Sequence, residues 1–203
     1  MKKLKKRSIT KFLRFMLAML LSLTLSIPSF ADTNQENDVN ELVPTVKNEV
    51  KNKATNEWGE ITDAEIGDDV EFRIISTIPA NVTDFNHYCY LVGSKFDEGL
   101  TCNCDYVIKI NDAEELPSKY FTHHMDNDDL AFTLNINISD AIKDGKLKVS
   151  DKLYIYYTEK VNKYTKAQNR NAVSIMYSDN PYEKNSFDYT KGSNMVKVNV
   201  QQQ

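Results

Sequence analysis

Three cysteines, three histidines and one run of carboxylates are the residues of this 203-residue chain whose types suggest chemistry. A hydrolase needs a nucleophile, a base and an orienting group. His87, His123 and His124 stand in no recognisable setting for this, no Gly-x-Ser-x-Gly elbow occurs, and neither Cys102 nor Cys104 lies in a protease-like signature. Gathering Cys102, Cys104, His123 and His124 around zinc fails on spacing, which fits no zinc template, so the histidines read as surface residues of a turn. Asp126-Asn127-Asp128-Asp129 offers hard oxygen ligands but lacks the glycine and the distal glutamate of a calcium loop, and reads as a solvated turn. The sequence therefore predicts no catalytic residue, no metal ligand and no cofactor.

The cysteines number three, Cys89, Cys102 and Cys104, so at least one is left over from any pairing. In a strand, Cys102 and Cys104 would share a face about 6–7 Å apart, which is awkward for a mutual disulfide. Cys89 suits a bridge to either one if their strands are neighbours. Small buried thiols are the other reading.

The elements that would position these residues are strands. Val70–Ile74, Leu130–Ile138 and Leu153–Tyr157 alternate apolar and polar residues with period two, which fits one buried face of a sheet. Further runs cover Tyr88–Val92, Tyr106–Ile110, Ala172–Tyr177 and Met195–Val200, with turn residues between them, as at Gly67, Pro79, Gly99 and Gly145. The expected core contains Phe72, Ile74, Phe132, Leu134, Ile136, Leu153 and Ile155. Of Tyr154, Tyr156 and Tyr157, alternation sends at least one inward. Helix is confined to one turn at Ser139–Lys143, capped by Ser139. The expected fold is all-β, an immunoglobulin-like (Cna-type) β-sandwich in a single domain.

The N-terminus reads differently. Lys2, Lys3, Lys5, Lys6, Arg7, Lys11 and Arg14 precede an apolar stretch from Phe15 to Leu25, and Ser29-Phe30-Ala31 supplies small residues for cleavage before Asp32. That stretch is shorter than the roughly 20 residues that span a bilayer, so residues 1–31 read as a signal peptide. Residues 32–43 read as an acidic, flexible tether, and 44–203 as the folded domain. Losing the seven basic residues of the leader leaves 18 against 29 acids, a net charge near −11. A phosphate backbone would repel such a chain, which excludes nucleic acid as a partner.

Five stretches carry a resemblance: PTVKNEVK (44–51), EWGEITDAEIGDDVEFRIISTIPAN (57–81), DEGLT (97–101), KVSDKLYIYYTEKV (148–161) and NAVSIMYSDNP (171–181). In order and spacing they resemble the isopeptide-forming fimbrial domain of the major subunits of sortase-assembled pili in Gram-positive bacteria. The resemblance implies a sandwich in which a lysine on the first strand is joined to an asparagine near the last strands, helped by a buried acid. In an apolar pocket a lysine loses its charge and becomes a nucleophile, while the acid stays protonated and polarises the amide.

Carried over by position, the lysine slot holds Asn48, two residues before Val50, and the acid slot holds Ser94, five before Gly99. The asparagine slot, six before Tyr177, holds Asn171. These three are degenerate isopeptide positions: only the electrophile remains, and both nucleophile and acid are expected to be absent. Lys47 and Lys51 flank the slot at odd offsets, so strand alternation turns them to the opposite face unless a bulge intervenes. Pro181-Tyr182-Glu183-Lys184-Asn185 only echoes the motif that joins pilin subunits, and no sorting signal precedes the closing Gln201-Gln202-Gln203.

The resemblance thus implies a secreted, non-catalytic structural or adhesive module. It implies a location outside the cell, surface-associated without a sortase anchor, and partners among other pilus or cell-wall components or host surface ligands. A remnant of a longer pilin, and a secreted enzyme with an unrecognised site, are the alternatives.

Overall fold

Alternation along the chain builds thirteen strands among the described residues. β1 (Val46–Lys51), β2 (Trp58–Gly59), β4 (Asp69–Thr77), β6 (Leu100–Cys102), β7 (Val107–Ile110), β8 (Glu114–Glu115) and β11 (Lys152–Val161) form one sheet. β3 (Ile61–Ala64), β5 (Tyr90–Phe96), β9 (Phe121–Met125), β10 (Ala131–Ile136), β12 (Gln168–Tyr177) and β13 (Tyr189–Val200) form the other. The structure, a computed structural model, describes residues 42–178, 180 and 189–201. The expected signal peptide, nearly all of the tether and the 181–185 echo lie outside those residues. No helix among the described residues is long and apolar enough to cross a membrane.

The first sheet runs β2-β1-β4-β11-β7-β8, with β6 also paired to β11, and the second runs β3-β13-β12-β5-β10-β9. Every pairing is antiparallel except β13 with β3. Between β2 and β3 the chain crosses from one sheet to the other at Glu60. The result is a β-sandwich, as the period-two runs predict.

The core lies between the sheets. In β4 the inward set is Val70, Phe72, Ile74 and Ser76. In β11 it is Leu153, Ile155, Tyr157, Glu159 and Val161. Register places Ile155 opposite Ile74 and Tyr157 opposite Phe72. All seven expected core residues are buried. Removing such a side chain from water contributes about 1.5–3 kcal/mol. Tyr157 joins them, stacked on Phe72 at 5.3 Å and edge-on to Phe132 at 5.0 Å between ring centroids, while Tyr154 and Tyr156 face outward by alternation.

One local expectation is corrected and one open alternative is decided. The one α-helix among the described residues, α1 (Ile138–Lys143), is capped by Asn137, whose side chain accepts the Asp140 N–H at 3.1 Å. Ser139 is engaged elsewhere, its Oγ accepting the Tyr88 N–H at 2.9 Å. The helix ends on Gly145, whose φ of +70° suits a left-handed cap and lets its N–H reach Ile142 O at 2.9 Å. The cysteines form no disulfide. Cys89 adjoins β5 in one sheet and Cys102 ends β6 in the other, so the neighbouring strands that a bridge requires are absent.

Candidate functional site

Asn48, Ser94 and Asn171, drawn from three strands on two sheets, meet in the core, and all three are fully buried. In β1 the pair Asn48 and Val50 points inward, which turns Lys47 and Lys51 out. Lys47 Nζ sits 2.8 Å from Glu49 and Lys51 Nζ 2.9 Å from Glu71, both on the outer side of the sheet. Asn48 Nδ2 donates to Asn171 Oδ1 at 2.9 Å and to Asn171 O at 3.2 Å, bridging the two sheets. Ser94 Oγ donates to the same Asn171 Oδ1 at 3.1 Å.

A buried acid stands beside Asn171 from another strand. Glu159 of β11, fully buried, accepts Asn171 Nδ2 at 2.8 Å through Oε1. Burial drives its pKa well above the usual glutamate value, and the hydrogen bond from Asn171 opposes this only in part, so burial favours the neutral carboxyl. Tyr157 lies beside it, its hydroxyl 3.5 Å from Ser94 Oγ, and is likewise pushed up, first by burial and then by the neighbouring Glu159. The signal for Glu159 was in the sequence. Leu153, Ile155, Tyr157, Glu159 and Val161 form one inward series, and a carboxylate in an inward slot is rare unless it is partnered.

A second residue escaped the sequence reading. β2 pairs only with Val50 and Lys51, which leaves the backbone of Asn48 open on that side. Asn194 of β13 fills the gap: its Oδ1 accepts the Asn48 N–H and its Nδ2 donates to Asn48 O, each at 2.9 Å. The side chain thereby imitates a strand edge. On the outer face, burial raises Glu49, but hydrogen bonds from Lys47 and Arg73 outweigh it and hold its carboxyl below the ordinary value. Arg73 reaches Glu49 Oε2 through Nε at 2.9 Å and packs over Trp58 at 4.5 Å.

The chemistry follows from what each group can give. The Asn171 carboxamide is an electrophile. Ser94 polarises its oxygen, and a neutral carboxyl abuts its nitrogen, the group that would leave. The nitrogen presented by Asn48 is an amide nitrogen, whose lone pair is delocalised and does not attack carbonyl carbon. Ser94 directs its proton at the carbonyl oxygen and so presents no free nucleophile. Asn48 Oδ1 and Glu159 Oε2 find no hydrogen-bond partner among the described residues, and a buried unsatisfied group costs about 1–3 kcal/mol.

The histidines and the acidic run form no shared site. His123 contacts the Tyr106 ring at 5.5 Å between centroids. Asp126 closes its own turn by accepting the Leu130 and Ala131 N–H groups at 2.9 and 3.2 Å. Among the described residues no group of three or more His, Cys, Asp or Glu side chains is placed to hold a metal.

The fold so described is a pilin-like β-sandwich, and the solved structures it resembles include several major pilins. No family model matches the chain, and no curated protein matches it. BcpA, the major pilin subunit of Bacillus cereus, superposes with a TM-score of 0.60 at 16% identity over 78% of this chain and 40% of its own. The C-terminal fragment of the major pilin GBS80 of Streptococcus agalactiae gives 0.59 at 19% identity over 77% of this chain and 56% of its own. The full-length major pilin SpaD of Corynebacterium diphtheriae gives 0.58 at 17% identity over 77% and 34%. The chain therefore spans well under two thirds of the length of each.

Proposed function

We propose that this chain is an exported, non-catalytic structural module of a pilus or cell surface. In it the position where related domains form a covalent cross-sheet bond is held by amide hydrogen bonds alone. The observation that carries the reading is the Asn48–Asn171 contact at 2.9 Å: two strands of opposite sheets are joined at a buried site furnished with an electrophile and a neutral acid, but with no amine. The pilin-like fold supports it, as does the outward direction of Lys47 and Lys51. Partners then lie among other pilus or cell-wall components or host surface ligands, and no nucleic acid is among them.

Intact-mass spectrometry of the secreted protein tests the reading, because forming the bond expels one ammonia. The mass expected is that of the chain from Asp32 with no ammonia lost. A deficit of one ammonia, mapped to a peptide joining Lys47 or Lys51 to Asn171, overturns it. A second reading, one domain's worth of a longer pilin, is favoured by the 34–56% of the neighbours' length that the chain spans. A sorting signal in the adjoining downstream reading frame would support that alternative.

A further inference from the structure

At the open edge of the sandwich, sulfur atoms gather around one hydroxyl. β6 ends at Cys102 beside β11, and β9, the outermost strand of the other sheet, ends at Met125. Tyr106 stands between these edges, packed edge-on against Phe132 at 4.9 Å. Its hydroxyl lies 3.3 Å from Cys102 Sγ and 3.9 Å from Met125 Sδ. Cys104 is brought in by its backbone. A φ of +59° ends the strand and folds the chain back, so that the Cys104 N–H donates to Cys102 Sγ at 3.3 Å and Cys104 Sγ approaches Cys102 O at 3.9 Å. Each thiol thus lies against the other cysteine's backbone. All four side chains are partly exposed, so the cluster is open to solvent.

We propose that Cys102, Cys104 and Met125 form a three-sulfur binding site for a soft monovalent metal ion, copper(I). Two thiolates and a thioether are the donor set that selects copper(I), and Met125 is a poor ligand for zinc or any harder ion. His123 shares the Met125 face of β9 and lies against the Tyr106 ring at 5.5 Å between centroids, but no group of three or more His, Cys, Asp or Glu side chains among the described residues is placed to hold a metal, so the all-hard or zinc donor set is not assembled. As the ion enters, two thiol protons leave to solvent and the site acquires one net negative charge. The Tyr106 hydroxyl, which satisfies the sulfurs in the ligand-free state, gives way to the metal.

The experiment titrates freshly reduced protein with copper(I) under anaerobic conditions against a chromogenic copper(I) chelator. Native mass spectrometry gives the stoichiometry, and silver(I) serves as a redox-inert replicate. One ion per chain is expected. Cys102→Ser/Cys104→Ser loses the ion at a chelator concentration that leaves the wild type occupied, and Met125→Leu yields it sooner than the wild type, whereas Met195→Leu on β13 does not. Tyr106→Phe binds as tightly or tighter, because the competing hydroxyl is gone. Far-UV circular dichroism confirms that each variant is folded. The proposal is overturned if the double serine variant binds like the wild type, if Met125→Leu is indistinguishable from it, if Tyr106→Phe abolishes binding, or if the reduced protein takes up no ion.

Discussion

Replacing Glu159 by Gln keeps the shape of the side chain and the acceptor that Asn171 Nδ2 uses at 2.8 Å, and removes only the titration. In the unfolded chain Glu159 ionises near its ordinary value of 4.5, whereas burial raises that value in the folded state. Between the two, the folded state holds a proton that the unfolded state has released. For one proton, stability then falls by at most about 1.4 kcal/mol for each pH unit. Its contribution is complete below pH 4.5 and is lost as pH rises through the folded value. Glu49, lowered by Lys47 and Arg73, acts in the opposite sense, adding stability above its unfolded value that is lost on acidification. Subtracting wild-type from variant curves cancels that group and the other shared carboxylates. Urea unfolding of both proteins at pH 5, 6, 7 and 8, followed by the single Trp58, should therefore show Glu159→Gln gaining on the wild type as pH rises. A difference that stays flat from pH 5 to 8 would refute the argument, since it would mean that Glu159 is ionised in the folded protein.

Two further outcomes follow from the same geometry. Asn48→Lys supplies the missing amine beside Asn171 and the neutral Glu159, so the variant should lose one ammonia in intact mass, while Asn48→Lys/Glu159→Gln keeps its full mass. A folded single variant of full mass would show that the pocket does not discharge the lysine. Gly99→Ala would place a Cβ 2.2 Å from Asn169 Oδ1 and 2.5 Å from Thr165 Cα, an overlap that backbone does not relieve, and should cost about 1–3 kcal/mol in chemical denaturation; unchanged stability would contradict the close approach.

What the sequence revealed follows from the range of each interaction. Strands with one buried face, such as β4 and β11, carry their own period and were legible with their inward residues. Short strands at the rims were not: β2, β6 and β8 have two or three residues each, too few to show a period, and owe their existence to a neighbour. The convergence of Asn48, Ser94 and Asn171 was reached only through motif order, because residues 123 positions apart carry no local sign of contact. Glu159 was hidden for a different reason. Lys160 beside it gives the pair the look of a solvent-facing turn of charge, although the period places only the lysine outside. Asn194 was out of reach altogether, since its role depends on an unpaired stretch of β1 that exists only after the sheet has formed.

These same residues show how the first strand is held in the sandwich. Asn48, in register with Ile74 of β4, is held by Asn171 across the core and by Asn194 along the open edge. A hydrogen bond between neutral groups contributes about 0.5–1.5 kcal/mol net, so the Asn48–Asn171 contact is a minor term beside the burial of Phe72, Phe132 and Tyr157. Its effect is on specificity. A buried amide must find a partner, and Asn171 meets that need of Asn48 only when β1 and β12 are in register, so a slip of β1 by one residue would turn Lys47 or Glu49 into the core and break the Asn48–Asn171 contact at once. The polar cluster therefore fixes the register of the first strand, while the aromatic core supplies the stability that keeps it there.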